Sequence, residues 1–67
     1  MDIGNNMRNA RIKAGLSMEA LAEKAGVSHV AIVKYERGQF LPNIATAHRI
    51  AMACGCKVDD FVKEDEE

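Results

Sequence analysis

Residues 16–38 read LSMEALAEKAGVSHVAIVKYERG, and their interpretation decides the fold. Ser17 and Ser28 each stand just before a run of helix-forming residues. A hydroxyl at that position can accept a hydrogen bond from the unpaired amides of the first turn. Glu19 falls in the first turn of the earlier run, where its charge suits the helix dipole. Leu21, Ala22 and Ala25 share one face of that run, and Ala31, Ile32 and Tyr35 share one face of the next. Gly26 and Gly38 end them, with Val27 preceding the second cap. The stretch is predicted to form two short amphipathic helices joined by one tight glycine turn, the second ending in a basic cluster. Such a turn holds the second helix as a rigid rod at a fixed angle to the first.

The flanks support the pair. Ile3, Met7, Ala10 and Ala14 recur at steps of four, three and four, giving a preceding helix one apolar face. Gly15 is its stop, and Leu16 is placed to pack back under it. After the pair, Phe40-Leu41-Pro42 reads as a connector and Asn43 as the cap of a fourth helix. That helix buries Ala47, Ile50, Ala51 and Cys54 and stops at Gly55, and Val58, Phe61 and Val62 give a short last turn, counted as the fifth helix, that can close the bottom of the core. The expectation is an all-α fold: a compact domain of five helices with short loops and no strand.

Composition narrows the function. The chain has 67 residues, is 48% hydrophobic and carries one proline, which fits a single small folded domain. Its aromatics are Tyr35, Phe40 and Phe61, so the core must come from Ala, Ile, Leu, Val and Met. A core of this size yields about 3–5 kcal/mol. No apolar run approaches the ~18 residues of a membrane span and no secretory signal is visible, so a cytoplasmic address is expected. Cys54 and Cys56 sit one residue apart, too few for a closed zinc site and too close for a useful disulfide. They read as small apolar residues at a helix end, with a redox-sensitive thiol as the rival. Charge is uneven: residues 8–39 hold six basic side chains against three acidic ones, whereas residues 57–67 hold two lysines against six carboxylates. The division expected is a domain over 1–62 followed by an acidic tail over 63–67. A mildly basic body leaves room for a local phosphate-binding face, and a rod held at a fixed angle is the shape that enters a DNA major groove.

From Ile3 to Val62 the sequence resembles the Cro/CI-type (lambda-repressor-like, XRE-type) helix-turn-helix family. The resemblance rests on Arg11, Gly15-Leu16-Ser17, Leu21-Ala22, Gly26-Val27-Ser28, Ile32, Tyr35-Glu36-Arg37-Gly38, Pro42, Ile50-Ala51, Gly55 and Asp59-Asp60-Phe61. It implies a DNA-binding domain whose helix-turn-helix lies at helices 2 and 3, with residues 28–37 as the recognition helix. If Ala31, Ile32 and Tyr35 face the core, then His29, Val30, Val33 and Lys34 are the candidates for base contact. Lys34 can donate to guanine O6 and N7, whereas the valines can touch only thymine methyls or sugar. Lys13, Ser17, Ser28, Arg37 and Gln39 are the candidates for phosphate contact, the serines through the helix N-termini they cap. Arg11 and Glu36 match family positions that form a structural ion pair, with a phosphate role for Arg11 as the rival. Met18 departs from the family, which often has a phosphate-binding glutamine there; a thioether cannot donate.

The function implied is a bacterial or phage-type transcriptional regulator, a repressor that binds operator DNA as a homodimer. Its dimer patch is expected on the fourth helix and residues 58–62. The alternative is a protein-interaction module on the same fold, an antitoxin or a modulator of another regulator, which Met18, Val30 and Val33 favour. His48 reads as a surface residue. No Ser-His-Asp, Cys-His or paired-carboxylate arrangement falls on elements expected to meet, and no glycine-rich phosphate loop follows a strand. Neither catalysis, a metal nor a cofactor is expected.

Overall fold

A computed structural model describes residues 2–63, so the acidic run at 64–67 lies outside the described residues. The order is α1 (Ile3–Lys13), α2 (Met18–Ala25), α3 (His29–Glu36), α4 (Ile44–Cys54) and a single 3₁₀ turn (Val58–Asp60). Among the described residues there is no strand. Among these residues the fold is all-helical, with four helices and a 3₁₀ turn where five helices are expected from the sequence. Three features confine the last element to one turn. Its bonds are of the tight i to i+3 kind, Asp60 N to Lys57 O at 2.9 Å and Phe61 N to Val58 O at 2.8 Å. The Asp60 carboxylate accepts from the Lys57 amide at 3.1 Å, closing the turn on itself. Phe61 then dives into the core, and its carbonyl accepts from Asn6 Nδ2 of α1 at 2.9 Å. The chain leaves helical geometry where its backbone is recruited by another helix.

The helix boundaries are set locally. Asp2, Ser17, Ser28 and Asn43 each accept from the amide three residues on, at 3.0, 3.0, 3.0 and 2.8 Å. At the junction of α2 and α3, Gly26 takes φ +74, a region that strains any residue bearing a Cβ. There Val27 N bonds Ala22 O at 3.0 Å and Gly26 N bonds Glu23 O at 3.3 Å, so the carbonyls at the end of α2 are satisfied as the chain reverses.

The core is made of Met7, Leu21, Ala22, Ala25, Ile32, Ile50, Ala51, Ala53 and Phe61, with Ile3, Ala10, Leu16, Tyr35 and Val58 packed around it. Several inward assignments shift. Ala14 is exposed because it caps α1, and Val62 is 45% exposed because the chain has already turned away after Phe61. Ala31, Tyr35 and Cys54 are only half-buried, whereas Ala53 is buried. α4 packs against α1, α2 and the 3₁₀ turn, so its buried stripe is wider than the sequence pattern implies. No helix among the described residues is long and apolar enough to cross a membrane.

One glycine controls how closely two helices approach. A Cβ on Gly4 of α1 would lie 2.6 Å from Tyr35 O and 2.8 Å from Glu36 O at the end of α3. In an exposed helix, alanine for glycine gains about 0.5–1 kcal/mol. Here the obstacles are backbone oxygens that cannot rotate away. Gly4→Ala is expected to lose a net ~1–3 kcal/mol, as overpacked sites do, measured by urea denaturation. A variant as stable as the parent would mean that α1 can shift off α3 without loss.

Candidate nucleic-acid interface

Two side chains of α3 are buried, Ile32 in the core and Glu36 against Arg11, and the others are half-buried or exposed. At 100° per residue, Val30 and Lys34 fall opposite Ile32, Arg37 lies beside them, and His29 and Val33 flank one side. Val30 is 59% exposed, and His29, Arg37 and Gln39 are also exposed. Val33 and Lys34 are half-buried, which makes the outer face narrower than the four-residue set read from the sequence. Lys34 is partly covered because its ammonium rests over the Phe40 ring, 5.0 Å from the centroid.

The N-terminus of α3 adds a second element. Ser28 Oγ accepts from Ala31 N, while the amides of the first turn have no intrahelical acceptor and point outward. The N-terminus of α2 repeats this arrangement with Ser17 and Ala20 N. Both ends carry the positive pole of a helix and suit a phosphate. Ser17, Ser28, Arg37 and Gln39 are all exposed. Lys13 stands apart: it lines a separate polar groove of about 820 Å³ with Asn6, Asn9, Lys57 and Lys63, between α1 and the C-terminal turn. The groove beside the outer face of α3 is lined by Ser28, Val30, Lys34 and Phe40 and does not include Lys13.

Arg11 and Glu36 fix the other end of α3. Arg11 Nε donates to Glu36 Oε2 at 2.7 Å and Nη2 to Oε1 at 3.1 Å, a two-pronged contact. Nη1 donates to Leu16 O at 2.9 Å, so one guanidinium joins α1, the loop before α2 and the end of α3. The two side chains are 11% and 3% exposed. At that burial the guanidinium is committed to Glu36 and Leu16.

Two residues outside the sequence reading, Asn6 and Gly4, and a third that it placed only in a connector matter here. Asn6 is buried and donates Nδ2 to Phe61 O at 2.9 Å and Lys63 O at 3.3 Å. No pattern marks it, since its neighbours three and four positions away, Asp2, Ile3, Asn9 and Ala10, are half polar. Gly4 has only its place inside a helix, between Ile3 and Met7, to draw notice. Phe40, read as connector, is the partner of Lys34.

The thiols are quiet. Burial, then the neighbouring Cys56 and Glu36, pushes Cys54 up to about 11, and burial followed by Asp60 raises Cys56. Both remain protonated at neutral pH, and the thiolate is the reactive form. Among the described residues, no group of three His, Cys, Asp or Glu side chains could hold a metal.

Comparison with known proteins follows the same outline. The sequence profile of the helix-turn-helix family matches residues 7–61. The chain is 39% identical over 62 residues to an uncharacterized HTH-type transcriptional regulator of Methanothermobacter thermautotrophicus, covering 91% of this chain and 90% of that protein. The solution structure of the DNA-binding domain of the P22 c2 repressor superposes with a TM-score of 0.89 at 32% identity, covering 94% of this chain and 83% of that one. The crystal structure of the P22 c2 repressor in complex with synthetic operator 9T gives 0.87 at 32% identity, covering 97% and 98%.

Proposed function

Because the chain belongs to the helix-turn-helix family, we propose that it is a cytoplasmic, sequence-specific regulator of transcription, with residues 1–62 as its double-stranded DNA-binding unit. The observation that carries this reading is the presentation of α3, clamped at its far end and open at Val30 with Lys34 beside it, on a framework that matches an operator-bound repressor. His29, Val30, Val33 and Lys34 meet base edges in the major groove, Lys34 through its donors and the valines through thymine methyls. Ser17, Ser28, Arg37 and Gln39 hold phosphates on either side, and Lys13 reaches the backbone only at the margin of the site. Arg11 and Glu36 support the rod without touching DNA.

The protein acts as a repressor by occupying an operator as a homodimer. Exposed Met52 on α4 and Val62 after the 3₁₀ turn suit a patch shared by two copies. A two-fold dimer places two recognition helices about 34 Å apart on one face of the duplex, which footprinting reads as two equivalent protections.

Selection from random duplex DNA tests the reading directly. Wild type is expected to enrich a palindromic motif, and Lys34→Ala is expected to bind that motif about tenfold more weakly and to lose preference at one base pair. Affinity should fall steeply with salt, because each phosphate contact releases counterions. No enriched motif, or an affinity indifferent to salt, would leave the outer face of α3 to a protein partner instead.

A further inference from the structure

Phe40 stands out as a large aromatic with no role in the core: it is 56% exposed and absent from the buried cluster. Its placement is nevertheless specific. At the end of α3, Gly38 N bonds Tyr35 O at 3.1 Å and Gln39 N bonds Lys34 O at 2.9 Å, which turns the chain back along the helix. That reversal brings the ring beneath the Lys34 ammonium, 5.0 Å from its centroid. Val30, Lys34, Tyr35, Phe40 and Leu41 then line one shallow groove of about 400 Å³ beside the outer face of α3. Lys34 is thus held at both ends, its carbonyl by Gln39 and its ammonium by Phe40.

We infer that Phe40 is a positioning residue for Lys34, confining the lysine to the conformations from which it reads a base; this rests on the DNA-binding reading above. The negative face of the ring attracts the ammonium from one side. An ammonium has three donors, so those directed away from the ring stay available to a guanine O6 or N7. A lysine already confined loses less side-chain freedom when it docks, so the ring raises affinity without touching DNA. Leucine keeps the apolar bulk but has no such face, whereas tyrosine keeps it.

The test combines the free protein with the selected operator. In the free protein, the ε-methylene protons of Lys34 are expected upfield in the NMR spectrum through the ring current, in wild type and in Phe40→Tyr, and at ordinary positions in Phe40→Leu. On the operator, Phe40→Leu is expected to bind about two- to fivefold more weakly, with the loss concentrated at the base pair that Lys34→Ala affects, and Phe40→Tyr to bind as wild type. In a Lys34→Ala background, Phe40→Leu should cost nothing further, the signature of two residues acting as one unit. Unshifted Lys34 methylenes in wild type, additive losses, or tighter binding by Phe40→Leu would each overturn the inference while leaving the operator intact. Failure of wild type to enrich any operator would remove the DNA-binding reading itself, and the positioning role with it.

Discussion

Arg11→Ala is expected to lower stability by about 3–5 kcal/mol, as removal of one member of a buried ion pair does. A domain of this size holds roughly that much in total, so the variant should be largely unfolded at room temperature. The structure shows why the loss is not confined to one contact. Deleting the guanidinium strands the Glu36 carboxylate, 3% exposed, and leaves Leu16 O without its donor. Thermal melting followed by circular dichroism measures the effect. The double replacement Arg11→Met with Glu36→Leu should recover much of the loss, because an apolar pair leaves no charge buried alone. An Arg11→Ala protein that melts with wild type would show that water takes over the role of the guanidinium.

Phe61→Ala is expected to match it, at about 3–5 kcal/mol, the range for deleting a buried phenyl ring. Phe61 is 1% exposed and closes the core that Met7, Leu21 and Ile50 form with it. The residue is also anchored by its backbone, since its carbonyl accepts from Asn6 Nδ2. Removing the ring takes away the reason for the chain to return to α1, and the Asn6 amide loses a fixed partner as the turn loosens. Chemical denaturation reads the change as a fall in midpoint, accompanied by loss of helical signal at low denaturant. If the midpoint stayed put, the 3₁₀ turn would be ornament on a core that α1 to α4 complete alone.

These two residues also mark what a sequence can and cannot disclose. Ser17, Ser28 and Asn43 announce their helices because the amide each one caps is three residues away. Gly15, Gly26, Gly38 and Gly55 announce the stops for the same reason, all four having positive φ. The fold was legible wherever its cause is local. The last turn counts as a fifth helix on the helical spacing of Val58, Phe61 and Val62, and only contact with Asn6, 55 positions earlier, shows why it stays a single 3₁₀ turn. Arg11 and Glu36 lie 25 positions apart, and no periodicity connects them; family resemblance supplied the pair, and the structure supplies its third arm at Leu16. Gly4 has no periodicity to mark it, and only the nearness of Tyr35 O and Glu36 O shows it to be where α1 can lie against α3. On the outer face of α3 the exposure of Val30 followed from the helical phase, but the partial cover of Lys34 depends on a ring from a connector that has no periodicity to read.

The attachment of α3 has a mechanical consequence. Its eight residues make a rod about 12 Å long, pivoted at the Gly26 turn and pinned at Glu36 by Arg11 and by the close seat on Gly4. A slip of about 1 Å at the pinned end swings the rod by about 5° around the pivot. Displacement grows with distance from the hinge, so Lys34 moves farthest, Val33 and Val30 less, and His29 hardly at all. On the proposed reading face, strain or mutation at the pin therefore acts as a lever on recognition, blurring the lysine's reading first and leaving the histidine end in register.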